Sequence, residues 1–163
     1  MPEIMPRFPT LYAALCALYT YAIPAHAEAT WDAAVDFGGG GFATTDGAKF
    51  FGMARVRPGV LLPHGDQFWA FGPYFEVGSR SWGTVGAQAE YLDLKSALWS
   101  QVMVFHDLEV GRPGAGIAGG WSVFGVELQQ RSLSPEGNGF VALVKVHLPL
   151  GVAGYAMREG KHK

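Results

Sequence analysis

The residues of this chain with chemistry to offer are its histidines and the carboxylates near them. His147 and Ser122 together would supply the base and nucleophile of a hydrolase, because such pairs are assembled by geometry across strands rather than by spacing. Nothing local places a base, a nucleophile and an oxyanion donor together, so the plainer reading is a luminal histidine bonded beside Lys145 and Glu127. In His106-Asp107-Leu108-Glu109 a strand would put His106 on the face opposite Asp107 and Glu109. Two carboxylates are a poor calcium site, and no metal is expected. His64, in Pro63-His64-Gly65-Asp66, has no ligand partner at useful spacing and reads as a turn residue. Arg55 and Arg57 could hold an anionic headgroup or ion, although acidic residues elsewhere make salt bridges the simpler role. The Gly38–Gly41 run lacks the pattern of a phosphate loop. It reads as a strand end or as a place where another backbone approaches closely. No cofactor is expected.

The elements that would position these residues are strands. Apolar and polar residues alternate with a period of two in Trp31–Phe37, Gly52–Val60, Phe71–Arg80, Val85–Tyr91, Gln101–Val110, Phe124–Arg131 and Phe140–Leu150. Turn signals lie at Thr45-Asp46-Gly47, Pro63–Asp66, Trp82-Gly83, Gly111-Arg112-Pro113-Gly114 and Ser134–Gly139, with a further connector at Asp93–Ala97. Seven strands are clear, and Val152–Arg158, after a turn near Pro149–Gly151, is the candidate eighth. No useful amphipathic helical window is apparent.

The first 27 residues have a different character. Arg7 precedes an apolar run, Leu11–Ile23, then Pro24 and Ala25-His26-Ala27. That order matches a secretory signal peptide cleaved after Ala27. The run is too short to span a bilayer as a helix. Residues 28–163 then form one domain, and the single cysteine, Cys16, leaves with the leader. The exported domain is stabilised without disulfides. A net charge of −2 argues against a nucleic-acid partner.

Charged residues make up only 16% of the chain, aromatics 13%, and there are 23 glycines. This composition, with alternation but no long apolar helix, suits an antiparallel up-and-down β-barrel of about eight strands in lipid. Arg55, Arg57, Glu76, Arg80, Glu90, Glu127, Arg131 and Lys145 all fall on the polar faces. In a membrane barrel those faces turn inward, and mixed signs pair as a luminal network. Trp31, Trp69, Trp82, Tyr91, Trp99, Trp121 and Tyr155 sit near segment ends and suit interfacial girdles.

On this pattern the chain resembles the small outer-membrane β-barrel proteins of the OmpA or OmpX kind. The resemblance covers the mature chain and rests on no specific motif. It implies outer-membrane lipid and the outer-membrane assembly machinery as partners. It also implies an aromatic end to the last strand, a role left here to Tyr155 ahead of a basic tail. The expected function is a structural or envelope role, or a very narrow pore, without enzymatic activity. A soluble exported barrel or sandwich binding an apolar ligand is the first alternative. An outer-membrane lipid A-modifying hydrolase built on Ser122 and His147 is the second.

Overall fold

A computed structural model describes residues 29–44, 47–79, 81–133 and 137–159. The expected leader, residues 1–27, lies outside the described residues, as does Arg80; nothing is described of the Trp82 side chain.

The chain forms eight antiparallel strands: β1 (Thr30–Thr44), β2 (Gly47–His64), β3 (Gln67–Gly78), β4 (Ser81–Asp93), β5 (Leu98–Asp107), β6 (Arg112–Trp121), β7 (Phe124–Leu133) and β8 (Gly137–Pro149). Each pairs with its sequence neighbour, and β1 pairs with β8 to close the barrel. The all-β barrel is thus established. The connections are two to four residues long at both ends. Gly65 and Gly111 adopt positive φ in two of them, a conformation that costs a glycine little. In the β4–β5 connection the Asp93 carboxylate accepts hydrogen bonds from the Ser96 hydroxyl at 2.9 Å and the Lys95 amide at 3.0 Å. These contacts hold its pKa below the usual carboxylate value.

Two elements differ from expectation. The eighth strand is β6, not Val152–Arg158. Gly111–Gly114 spans the turn and the start of this strand. Its sequence, RPGAGIAGGW, has too few side chains for a visible alternation. The reason lies in the adjoining strand. Trp99, Met103 and Phe105 of β5 point into the lumen, and a Cβ at Gly114, Gly116 or Gly120 would crowd one of them. Large side chains on β5 therefore require small ones on β6.

The last element, α1 (Leu150–Glu159), is a helix. Pro149 ends the ladder because it has no N–H to donate, and Ala153, Ala156, Met157 and Glu159 include strong helix formers. Val152 and Tyr155, three apart, share a helical face. Val152 is buried with the barrel core, and the Tyr155 ring meets Phe68 edge-on at 5.5 Å. Arg158 in the final turn favours the helix dipole. Tyr155 therefore does not end a strand. Trp82-Gly83 also lies within β4 rather than in a turn.

The lumen holds two apolar clusters. Leu61, Phe68, Leu92 and Trp99 pack with Val152 towards the end that carries α1. Phe42, Phe51, Met53, Val141 and Leu143 form a second apolar cluster towards the other end. The first cluster continues through Tyr74 and Met103 to Phe105, and charged side chains run alongside both clusters, with Arg131 against Phe51 and Phe105 and Asp32 beside Gly151 of α1. In the Gly38–Gly41 run, a Cβ at Gly40 would overlap the backbone carbonyl of Ala142. The glycine run marks a close approach of two backbones, where β8 meets β1.

Candidate functional site: a luminal ion-pair chain

Strand alternation puts every second residue into the lumen, and β1 to β5, β7 and β8 each contribute a buried ionisable group to it. Arg55 is 1% exposed, Lys145 1% and His147 0%. A continuous chain of contacts runs through these groups. Asp32 meets Arg57 at 2.6 Å, and Arg57 meets Glu90 at 3.1 Å. Glu90 reaches His147 Nε2 at 2.8 Å, and His147 Nδ1 reaches Asp36 at 2.6 Å. Asp36 meets Lys145 at 3.0 Å, which meets Glu127 at 2.9 Å. Glu127 and Glu76 both accept from Arg55 Nη2 at 2.6 Å. Glu76 also accepts from Arg131 at 2.8 Å, and Arg131 bonds Asp107 at 3.0 Å.

Neutral groups complete the network. Gln129 donates to Glu127 at 2.6 Å, Lys145 donates to the Gln101 side-chain carbonyl at 2.6 Å, and Arg131 donates to the Thr84 hydroxyl at 2.9 Å. Aromatic rings flank the cations. The Arg55 guanidinium lies 4.7 Å from the Tyr74 ring centre, and that of Arg131 lies 4.8 Å and 5.2 Å from Phe51 and Phe105. Such a network satisfies charges that burial would otherwise penalise heavily. It also fixes register, because a one-residue slip would turn the charged set outward.

Of the residues singled out in the sequence, Arg55, Arg57, Glu76, Glu90, Glu127, Arg131 and Lys145 come together in this chain. Asp32, Asp36, Asp107 and His147 join them. All four have a sequence signal, since each falls on the polar, inward face of its strand. Glu109 does not share a face with Asp107: β5 ends at Asp107, whose carboxylate caps the turn by accepting from the amides of Glu109 and Val110. His106 and His64 are exposed.

Trp99 is a correction to the aromatic assignment. It points inward and is 4% exposed; its Nε1 donates to the Ser122 carbonyl at 2.9 Å, and its ring lies 4.8 Å from that of His147. Position at a strand end does not by itself fix the face, and the phase of β5 puts Trp99 on the side of Gln101 and Met103. Trp31, Trp69 and Trp121 are exposed on the outer wall, and Tyr91 packs 4.9 Å from Trp69.

Ser122 and His147 are not brought together as a catalytic pair. Ser122 occupies an exposed turn at φ 55°, while both His147 ring nitrogens face carboxylates within the lumen. Among the described residues no group of histidine, cysteine and carboxylate side chains is arranged to hold a metal ion. The ion-pair chain can tie strands together; it presents no nucleophile beside a free base.

The outer wall has the opposite character. Among the described side chains, the outward positions between the two ends carry no Asp, Glu, Lys or Arg. Phe37, Val56, Phe75, Val102, Ile117, Val126, Phe140 and Val144 are all more than half exposed or nearly so. Comparison with known protein families, curated proteins and solved structures finds no match for this chain.

Proposed function

We propose that this protein is an integral outer-membrane β-barrel with a sealed interior and a structural role in the envelope. One observation carries the reading: the barrel is polar within and apolar without. A soluble barrel would expose its charges and bury its aliphatic residues. Here Arg55, Lys145 and Glu127 are buried while Val126, Val144 and Ile117 face outward. Contiguous exposed apolar surface on this scale marks an interaction surface.

The dimensions support the same reading. The ten residues of β5, tilted as barrel strands are, rise roughly 25 Å, the height of an outer-membrane barrel's apolar band. Trp31, Trp69, Tyr91 and Trp121 lie towards one end of that band, as interfacial aromatics do.

A lumen filled by buried side chains, with α1 docked at one end through Val152 and Tyr155, favours a closed interior over a pore. Connections of two to four residues offer little surface for recognising an external partner, which favours a structural role. The polar interior disfavours a carrier of apolar ligands, whose cavity would be aliphatic.

The test is fractionation of the expressed full chain combined with gel mobility before and after boiling. Membrane recovery with a boiling-dependent shift is the expected result. A detergent-free, soluble, monomeric mature protein would overturn the proposal.

A further inference from the structure

Contacts on both sides of its ring decide the charge of one luminal group, His147. Its Nδ1 lies 2.6 Å from Asp36 Oδ1, and its Nε2 lies 2.8 Å from Glu90 Oε1. A neutral imidazole has one N–H and one bare nitrogen, so it donates to only one carboxylate. The bare nitrogen would then meet a carboxylate oxygen at hydrogen-bond distance, lone pair against lone pair. The Gln101 amide also stands 3.2 Å from Nδ1, but its donation to a bare Nδ1 would leave Asp36 Oδ1 in the same clash.

The second proton belongs either to the ring or to a carboxylate, and the neighbours favour the ring. Asp36 also accepts from Lys145 at 3.0 Å, which Glu127 shares at 2.9 Å, and approaches Arg55 at 3.4 Å. Glu90 also accepts from Arg57 and from Gln101, each at 3.1 Å. Donors on both carboxylates favour their ionised forms. Gln101 is fixed in orientation, since its carbonyl accepts from Lys145 at 2.6 Å. Charge balance agrees: among the described residues, six buried carboxylates stand against four buried lysine and arginine side chains. The Trp99 ring, 4.8 Å from that of His147, lies within reach of a cation–π contact.

The fold puts this group at a junction. Asp36 is the register partner of His147 across the β1–β8 seam. Glu90 sits on β4, four strands from β8 either way round the barrel. A single imidazole therefore ties the closing seam to the opposite wall.

We propose that His147 is an imidazolium in the folded barrel and acts as a pH-sensitive clasp, its two N–H groups holding β1 and β4 to β8. A free histidine is mostly neutral above about pH 7, so closure there takes the second proton from solvent. Loss of that proton leaves a buried carboxylate facing a bare nitrogen, and the clasp loosens as pH rises. This charge state follows from luminal contacts and does not depend on where the barrel resides.

The experiment is nitrogen NMR of the histidine side chains in the full chain, refolded in detergent micelles at about pH 7.5, paired with urea unfolding from about pH 7 to pH 9. Both His147 ring nitrogens should carry protons. The unfolding equilibrium constant should rise towards about tenfold per pH unit, because the folded state binds one proton more than the unfolded one. His147→Gln has no such proton to lose, and the folded variant, recognised by its boiling-dependent gel shift, should lose that slope. If the variant does not fold, the ring nitrogens of the parent decide alone. A ring nitrogen without a proton in the folded parent, or a pH slope unchanged in folded His147→Gln, would overturn the clasp.

Discussion

Replacing Arg55 by leucine tests whether the luminal network contributes to stability as its geometry implies. The guanidinium donates to Glu76 at 2.6 and 3.2 Å and to Glu127 at 2.6 and 3.1 Å, and approaches Asp36 at 3.4 Å. Leucine removes all of these contacts at once. The carboxylates are not wholly abandoned: Glu76 keeps Arg131, Glu127 keeps Lys145 and Gln129, and Asp36 keeps Lys145 and His147. Removing one partner of a buried ionic cluster costs about 3–5 kcal/mol, and the retained contacts place the expectation near the lower value, about 3 kcal/mol. That is a factor of roughly 100 in the unfolding equilibrium. Reversible urea unfolding of the barrel in detergent micelles, followed by tryptophan fluorescence and gel mobility, reads the change. Adding Glu76→Gln to Arg55→Leu removes the least compensated charge, and the two substitutions should be non-additive by about 1 kcal/mol or more. If Arg55→Leu unfolds within about 0.5 kcal/mol of the parent, the network is not a stabilising tie and the reasoning fails.

Three further outcomes follow from other parts of the molecule. Val126→Arg, on the outward face of β7, should cost about 2–4 kcal/mol if that face meets lipid, whereas a change within about 0.5 kcal/mol in folded-state stability would point to water instead. Gly151→Ala sets a methyl group against Asp32 Oδ1 and should release α1, read as faster proteolysis of the C-terminal segment; Gly154→Ala meets nothing within 4 Å and should protect that segment by up to about 1 kcal/mol. Gly40→Val drives a side chain into the Ala142 carbonyl and should abolish the compact unboiled form on gels; a normal shift would show that β1 and β8 tolerate wider separation.

Much of this architecture is legible in the sequence, and the exceptions have physical causes. In β8 each inward residue from Val141 to His147 alternates with an outward aliphatic one, so the face assignment is readable from the chain alone. In β6 the signal vanishes, because its glycines accommodate side chains from β5 and only the tertiary structure reveals why they are there. The helix α1 escapes for another reason. Val152, Gly154 and Ala156 mimic alternation, and the i,i+3 spacing of Val152 and Tyr155 acquires meaning only once Phe68 is found beneath them. The luminal charges are visible as a set, but their pairing is not. That Asp36 meets Lys145 and His147 depends on closure of the ring, which joins residues more than a hundred positions apart.

That closure has a kinetic consequence. The Asp36–His147 contact spans 111 residues, and confining a flexible loop of that size costs about 4 kcal/mol of chain entropy before any contact across β1 and β8 compensates for it. Local hairpins can form early, since their connections are so short, whereas the final seam must wait for all of them. The helix then docks against Asp32 and Phe68, residues of β1 and β3, after the last strand has arrived. The first and last strands are thereby latched twice, by an ion pair within and by α1 at the rim. A barrel built this way closes slowly, and it reopens only when both latches release together.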